Sequence, residues 1–206
     1  MKKIFAVMLC AVLLAGCAGQ KFSPEHREQI KTVKVLPVKW EPGEIHYFGR
    51  AQNTGMAFGG YLGFLLANSL STSPQREIIK TLDSEKIDLG ALVKQHFVAE
   101  LAKNPSLNVV GDEATADAHI QLTVDYWGFQ ISHGFSGVIY PVIKVGAVMQ
   151  RGTERLWVQN EGVTPFTDGN DLGYVPASLG TEPETLRLAL NGVSAIASQS
   201  LAKGLR

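Results

Sequence analysis

The chain has 206 residues, of which 45% are hydrophobic and 18% charged, and its 19 basic residues balance 19 acidic ones. That length supports one domain with a real core, and without any run of like charge the electrostatic footprint of nucleic-acid binding is missing. Cys10 and Cys17 are the only cysteines and both sit near the N-terminus, so the rest of the chain has no thiol for disulfides, zinc or nucleophilic chemistry.

Met1-Lys2-Lys3 is a short basic start, and residues 4–14 form an apolar run that leads through Ala15 and Gly16 to Cys17. A charged start, a short apolar centre and a small-residue cleavage site make a secretory signal, too short to span a bilayer permanently. Leu14-Ala15-Gly16-Cys17 resembles the lipobox of bacterial lipoproteins. The resemblance implies cleavage before Cys17, a diacylglycerol thioether on its sulfur and acylation of the new amino terminus. Enterobacterial lipoproteins retained at the inner membrane carry aspartate after the cysteine. Ala18 stands here instead, which implies sorting to the outer membrane, facing the periplasm. One acyl chain attaches a protein only reversibly, whereas several on one residue hold it. Loss of residues 1–16 removes Lys2 and Lys3, leaving 17 basic against 19 acidic residues.

Residues 18–31 are polar and read as a tether, with room for a short helix over 24–29. Residues 32–40 read as the first strand: Val33 and Val35 alternate with Lys34, and Pro37 puts the strand at an edge or ends it. Glu41-Pro42-Gly43-Glu44 then turns the chain. No charged residue occurs over 55–70, and Gly55, Gly59, Gly63 and Ala67 recur at intervals of four. On a helix these four stack along one face and leave a groove for another backbone, a glycine zipper. Met56, Phe58, Tyr61, Leu62, Phe64, Leu65 and Leu66 cover the remaining circumference. Each glycine costs about 0.8–1 kcal/mol of helix propensity, so such a helix needs something packed on it. Four readings stay open: packing inside the domain, contact with a second copy or partner, shallow membrane insertion, or a glycine-rich loop.

Residues 71–83 read as a polar surface connection. A helix follows over 88–103 with Asp88 as N-cap, its stripe formed by Leu89, Leu92, Val93, Phe97 and Leu101, with His96 beside it. Residues 107–110 form a short strand, and 112–118 a polar, alanine-rich turn. Ile120, Leu122, Val124 and Tyr126 alternate with polar residues in a half-exposed strand. Trp127 falls on the polar face of that pattern, either exposed for recognition or covered by a helix. Residues 138–149 are apolar on both faces except at Lys144 and read as a central strand, with Pro141 marking a bulge or a break in pairing. Arg151-Gly152-Thr153 turns the chain back through Leu156, Trp157 and Val158. Residues 162–180 form an irregular loop. Thr181 and Glu184 then have capping-box spacing at the start of a last helix, whose stripe is Leu186, Ala189, Leu190, Val193, Ile196, Ala197 and Leu201.

The five histidines show no metal-binding spacing. Asp117 and His119 share one side of a strand start but are too few for a metal. Gly134-Phe135-Ser136-Gly137 lacks the spacing and the strand-to-helix context of a nucleophile elbow. The sequence therefore yields no catalytic residue, no metal site and no cofactor.

An anchored cysteine, a tether, an early strand and Ala114-Thr115-Ala116-Asp117-Ala118 leading into a long strand are together similar to small α/β outer-membrane lipoproteins of proteobacteria. Their relatives include curli-secretion-type lipoproteins and lipoprotein activators of peptidoglycan synthases. The resemblance carries no functional residue beyond Cys17, and the glycine zipper departs from the activator-like domains. The resulting expectation has three parts: a signal peptide over 1–16, an anchor and tether over 17–31, and one α+β domain over 32–206. That domain has a mainly antiparallel sheet of four or five strands and two or three packed helices. The expected role is a non-enzymatic binding or structural component of the cell envelope. Its partners are the outer membrane through lipid, and a second copy or another envelope protein. An accessory subunit of a secretion or transport assembly is the alternative. A periplasmic enzyme using the loop carboxylates Asp168 and Asp171 is the alternative of a different class.

Overall fold

The structure, a computed structural model, describes residues 19–43, 45–70, 74–134 and 136–206, without the side chains of Phe64 and residues 67–70. Leu14, Ala15, Gly16 and Cys17 lie outside the described residues, as does the side chain of Ala67. In chain order the elements are α1 (Pro24–Gln29), β1 (Thr32–Val35), β2 (Ile45–Phe48), α2 (Arg50–Leu70), α3 (Pro74–Ser84) and α4 (Leu89–Leu101). There follow β3 (Asn108–Val109), β4 (Ala118–Gln130), β5 (Tyr140–Arg151), β6 (Glu154–Val163), α5 (Ser178–Thr181) and α6 (Pro183–Lys203).

Apolar residues at every second position make β4 the strand on which the sheet is built. It pairs along its length with β5, antiparallel, and β5 pairs in the same sense with β6. On its other edge, β1 lies parallel to the start of β4, with Val33 opposite Ala118, and β2 lies parallel to its end, with Phe48 opposite Gln130. β3 adds to β1, giving six strands. The α+β class and the mainly antiparallel pairing are as expected. The expected four or five strands become six, and the two or three helices become six among the described residues; the added strand is β2, which is short and has no clean alternation to announce it.

β4 changes face part-way along. A β-bulge between Val124 and Tyr126 inserts one residue, so the buried set runs 118, 120, 122, 124 and then 127, 129, 131. Trp127 is therefore buried, packed edge-on against Trp40, and its indole N–H donates to the Glu41 carbonyl at 3.3 Å. Pro141 causes no bulge. It lies beyond the last β5–β6 pair, Ile143 with Val163, where the Asn170 side-chain amide takes over by donating to its carbonyl at 3.1 Å.

Helices α4 and α6 pack on each other, tied where the buried Ser198 hydroxyl donates to the Val93 carbonyl at 3.2 Å. Asp88 caps α4 through the Ala91 amide at 2.9 Å, as expected. At α6 the cap is Glu182, not Thr181: Pro183 takes the first helical turn, where its missing N–H costs nothing, and the Thr181 hydroxyl donates back to the carbonyl of Ala177, which precedes α5. Residues 74–84 correct the reading of a surface connection. They form α3, begun by Pro74, which buries Ile78 and Leu82 at i, i+4 spacing, with Thr81 beside them, in a mostly polar segment.

The reading of residues 18–31 as a tether is also corrected from Gly19 onward. Gln20 exchanges two backbone hydrogen bonds of 2.9 Å with Val158, extending the sheet past β6. Phe22 and Ile30 are buried, and α1 is capped by Ser23. The Arg27 guanidinium lies over the Phe22 ring and donates to the Leu205 carbonyl. Two well-spaced apolar anchors suffice to dock a segment whose remaining residues are polar.

Candidate functional site

The segment over 55–70 is helical but does not form one straight rod. Gly60 has φ 55° and ψ −144°, which breaks α2 into two arms. This region of backbone space belongs to glycine. The arms fold back on each other so closely that a Cβ on Gly63 would collide with the Gly55 carbonyl oxygen, while one on Gly59 would meet nothing within 4 Å. The small-residue face is thus used inside the chain, as the close approach of one arm to the other. Of the four residues in the zipper, Gly55 and Gly63 meet, and Gly59 does not.

We expect Gly63→Ala to loosen this hairpin, and Gly59→Ala to leave it intact and raise stability by about 0.4–1 kcal/mol. Hydrogen exchange of the amides in 50–70 checks both: faster exchange with Gly63→Ala alone supports the contact, and equal rates in the two variants contradict it.

The base of the hairpin is fixed. Gln52 is buried and its side-chain carbonyl accepts the Gly49 N–H at 3.2 Å, while Asn53 packs on Gly134. Beyond that base, among the described residues, no other helix or strand packs broadly on α2. Phe58 is 90% exposed, Leu62 72% and Tyr61 71%, with Met56, Leu65 and Leu66 also exposed. Fully burying one such side chain is worth about 1.5–3 kcal/mol, so the exposed area of Phe58 and Leu62 alone forgoes several kcal/mol, on the order of 3–5. An apolar cluster of this kind marks an interaction surface.

The same end of the sheet carries more of it. β2 and β4 finish there, and the Ile131 N–H donates to the Phe48 carbonyl. The 164–177 loop folds over the start of β5, pairing Tyr174 with Ile139, and exposes Phe166 and Val175. Asp168 and Asp171 belong to this loop, whose framework is the buried Asn170 amide donating to Pro141 and Thr164.

The remaining candidates have structural partners. Asp117 accepts the Lys31 and Thr32 amides at 2.9 and 2.8 Å, and those bonds hold its carboxyl below the usual aspartate range. It fastens the start of β1 to the start of β4. His119 lies 3.7 Å from Glu113, and His96 bonds Asn191 at 2.8 Å. The Ser136 hydroxyl donates to Val138 two residues on. Among the described residues no three His, Cys, Asp or Glu side chains converge on a metal position, and no helix is long and apolar enough to cross a membrane. An open groove of about 730 Å³ runs between Trp40 and α3, floored by Ile79, Leu82 and Ile87 and rimmed by Arg76 and Lys80.

The sequence could show that 55–70 is apolar and glycine-rich. The fold-back at Gly60, and with it the exposed tip, had no sequence signal beyond the Gly59-Gly60 pair.

No family model matches this chain, and no curated protein sequence matches it. Among solved structures it is similar to the PelC dodecamer from Paraburkholderia phytofirmans, with 11% identity, a TM-score of 0.35, and coverage of 86% of this chain and 92% of that one. It is similar also to protein XCC0632 from Xanthomonas campestris, of family model DUF330, at 9% identity, TM-score 0.39, and 92% and 89% coverage. A third is the hypothetical protein CT253 from Chlamydia trachomatis, at 9% identity, TM-score 0.34, and 82% and 96% coverage. Likenesses at this level assign no function to this chain.

Proposed function

We propose that this chain is an outer-membrane lipoprotein, acylated at Cys17, that works at the periplasmic face by binding and not by catalysis. The observation that carries the reading is the docking of Gln20 onto Val158 directly after the lipobox-like residues. Three residues from Cys17 to Gln20 reach at most about 11 Å. An acylated Cys17 would therefore hold the folded body against the bilayer instead of leashing it at a distance. The exposed apolar end of the sheet supports the binding half, because the loop that exposes Phe166 and Val175 there suits association. Within this reading the chain is a structural or adaptor component of the envelope.

The sorting half is tested by Ala18→Asp in an enterobacterial host. The variant is expected to move from the outer-membrane to the inner-membrane fraction, and an unchanged distribution contradicts the reading. The binding half is tested by a photo-crosslinking residue at Phe166, which is expected to give covalent adducts in cells. Irradiation that leaves only the free chain contradicts it.

A further inference from the structure

We infer that the α2 hairpin is a bilayer-inserting finger, entering one leaflet of the membrane that the N-terminal anchor occupies. The inference deepens the lipoprotein reading above and rests on three features of the hairpin.

The first is its zoning by depth. Residues 55–67 carry no polar side chain other than the Tyr61 hydroxyl, while Gln52, Asn53 and Thr54 precede them and Asn68 and Ser69 follow. Because the chain folds back at Gly60 and brings Gly63 onto Gly55, the two ends of α2 share the base of the hairpin and the apolar stretch between them forms its tip. An apolar segment of this length is too short to span and suits a re-entrant or interfacial position.

The second is reach. Each arm of roughly ten residues measures about 15 Å, close to half of a hydrocarbon core about 30 Å thick. Helical arms also satisfy their own backbone polar groups, as a lipid environment requires.

The third is the distribution of side chains. A contact with a second copy would use one face, and the close-approach face is already filled by Gly63 on Gly55. Met56, Phe58, Leu62 and Leu65 are exposed around the hairpin instead of along one stripe. A fluid apolar phase covers such a shape on all sides.

The anchor lies within reach of the same plane. The bridge to Val158 is antiparallel, so the Gly19 end of the segment points toward Val163, the end of β6 nearest the hairpin and the exposed Phe166.

The test uses the mature protein reconstituted in vesicles of phosphatidylethanolamine and phosphatidylglycerol. Loss of the leader and acylation of Cys17 leave no free thiol, so Phe58→Cys, Leu62→Cys and, as control at the opposite end of the sheet, Thr153→Cys each accept one environment-sensitive fluorophore. Circular dichroism matching the parent confirms that each variant folds. At 58 and 62 the emission is expected to shift to the blue and to be largely lost when the acyl chains carry bromine, while 153 stays unchanged. Emission at 58 and 62 matching that at 153 overturns the inference. So does a blue shift that grows with the protein-to-lipid ratio and ignores bromine, which would assign the hairpin to a second copy. Dye uptake by the parent, with no added cysteine, would refute acylation of Cys17 alone; the readings at 58 and 62 in a Cys17→Ser background would still decide the insertion.

Discussion

Trp127→Ala is expected to lower stability by about 3–5 kcal/mol, the range for truncating a large aromatic side chain in a core. The indole is 2% exposed, leans on Trp40 and bonds the Glu41 carbonyl. Its loss would leave a cavity between the sheet and the 40–43 turn. A tryptophan on a solvent face would cost within about 0.5 kcal/mol, so a urea melt separates the two cases. A shift of the midpoint by less than that would contradict the burial of Trp127, and with it the bulge that turns the residue inward.

The neighbouring residue gives the second large effect. Gly128 has φ 152°, and a Cβ there would collide with the backbone carbonyl of His46 on β2. Backbone strain alone is worth about 1–3 kcal/mol, and the clash is with main chain that cannot rotate away. Gly128→Ala is expected to cost about 3 kcal/mol or more and to release β2 from the end of β4. Because β2 leads directly into α2, loss of that pairing frees the base of the hairpin as well. Fast hydrogen exchange over 45–53 in the variant would show it; exchange as slow as in the parent would contradict the close approach.

These two residues also show where the sequence stops being legible. Over 118–124 the period of two gives the strand, its buried face and its register without help from the structure. One inserted residue at the bulge then inverts the pattern, and nothing in Val-Asp-Tyr-Trp-Gly marks the inversion, so Trp127 could be assigned to either face. Helices α4 and α6 are readable for the opposite reason: their stripes are long and uninterrupted, and Asp88 caps one of them. Helix α3 is hidden because only Ile78, Leu82 and the partly exposed Ile79 break its polarity, and burial of two apolar side chains together with Thr81 was enough to fold it on. The docked N-terminal segment is hidden in the same way, with Phe22 and Ile30 its only deep anchors.

The candidate site divides likewise. That residues 55–70 are uncharged and spaced by small residues is visible at once, and it fixes the segment as one that needs cover. Whether the cover is another part of the domain, a second chain or lipid depends on the reversal at Gly60, a property of one residue's backbone. Once that reversal is known, the small-residue face is consumed within the chain and the bulky residues are left outside it.

The lipoprotein reading, on which the proposed location rests, depends on what Cys17 carries. Intact-mass measurement of the mature protein purified from cells tests this most directly. The account predicts a chain that begins at Cys17 and bears a diacylglycerol group and an amide-linked acyl chain. A chain that begins elsewhere, or a Cys17 with a free thiol, would contradict it.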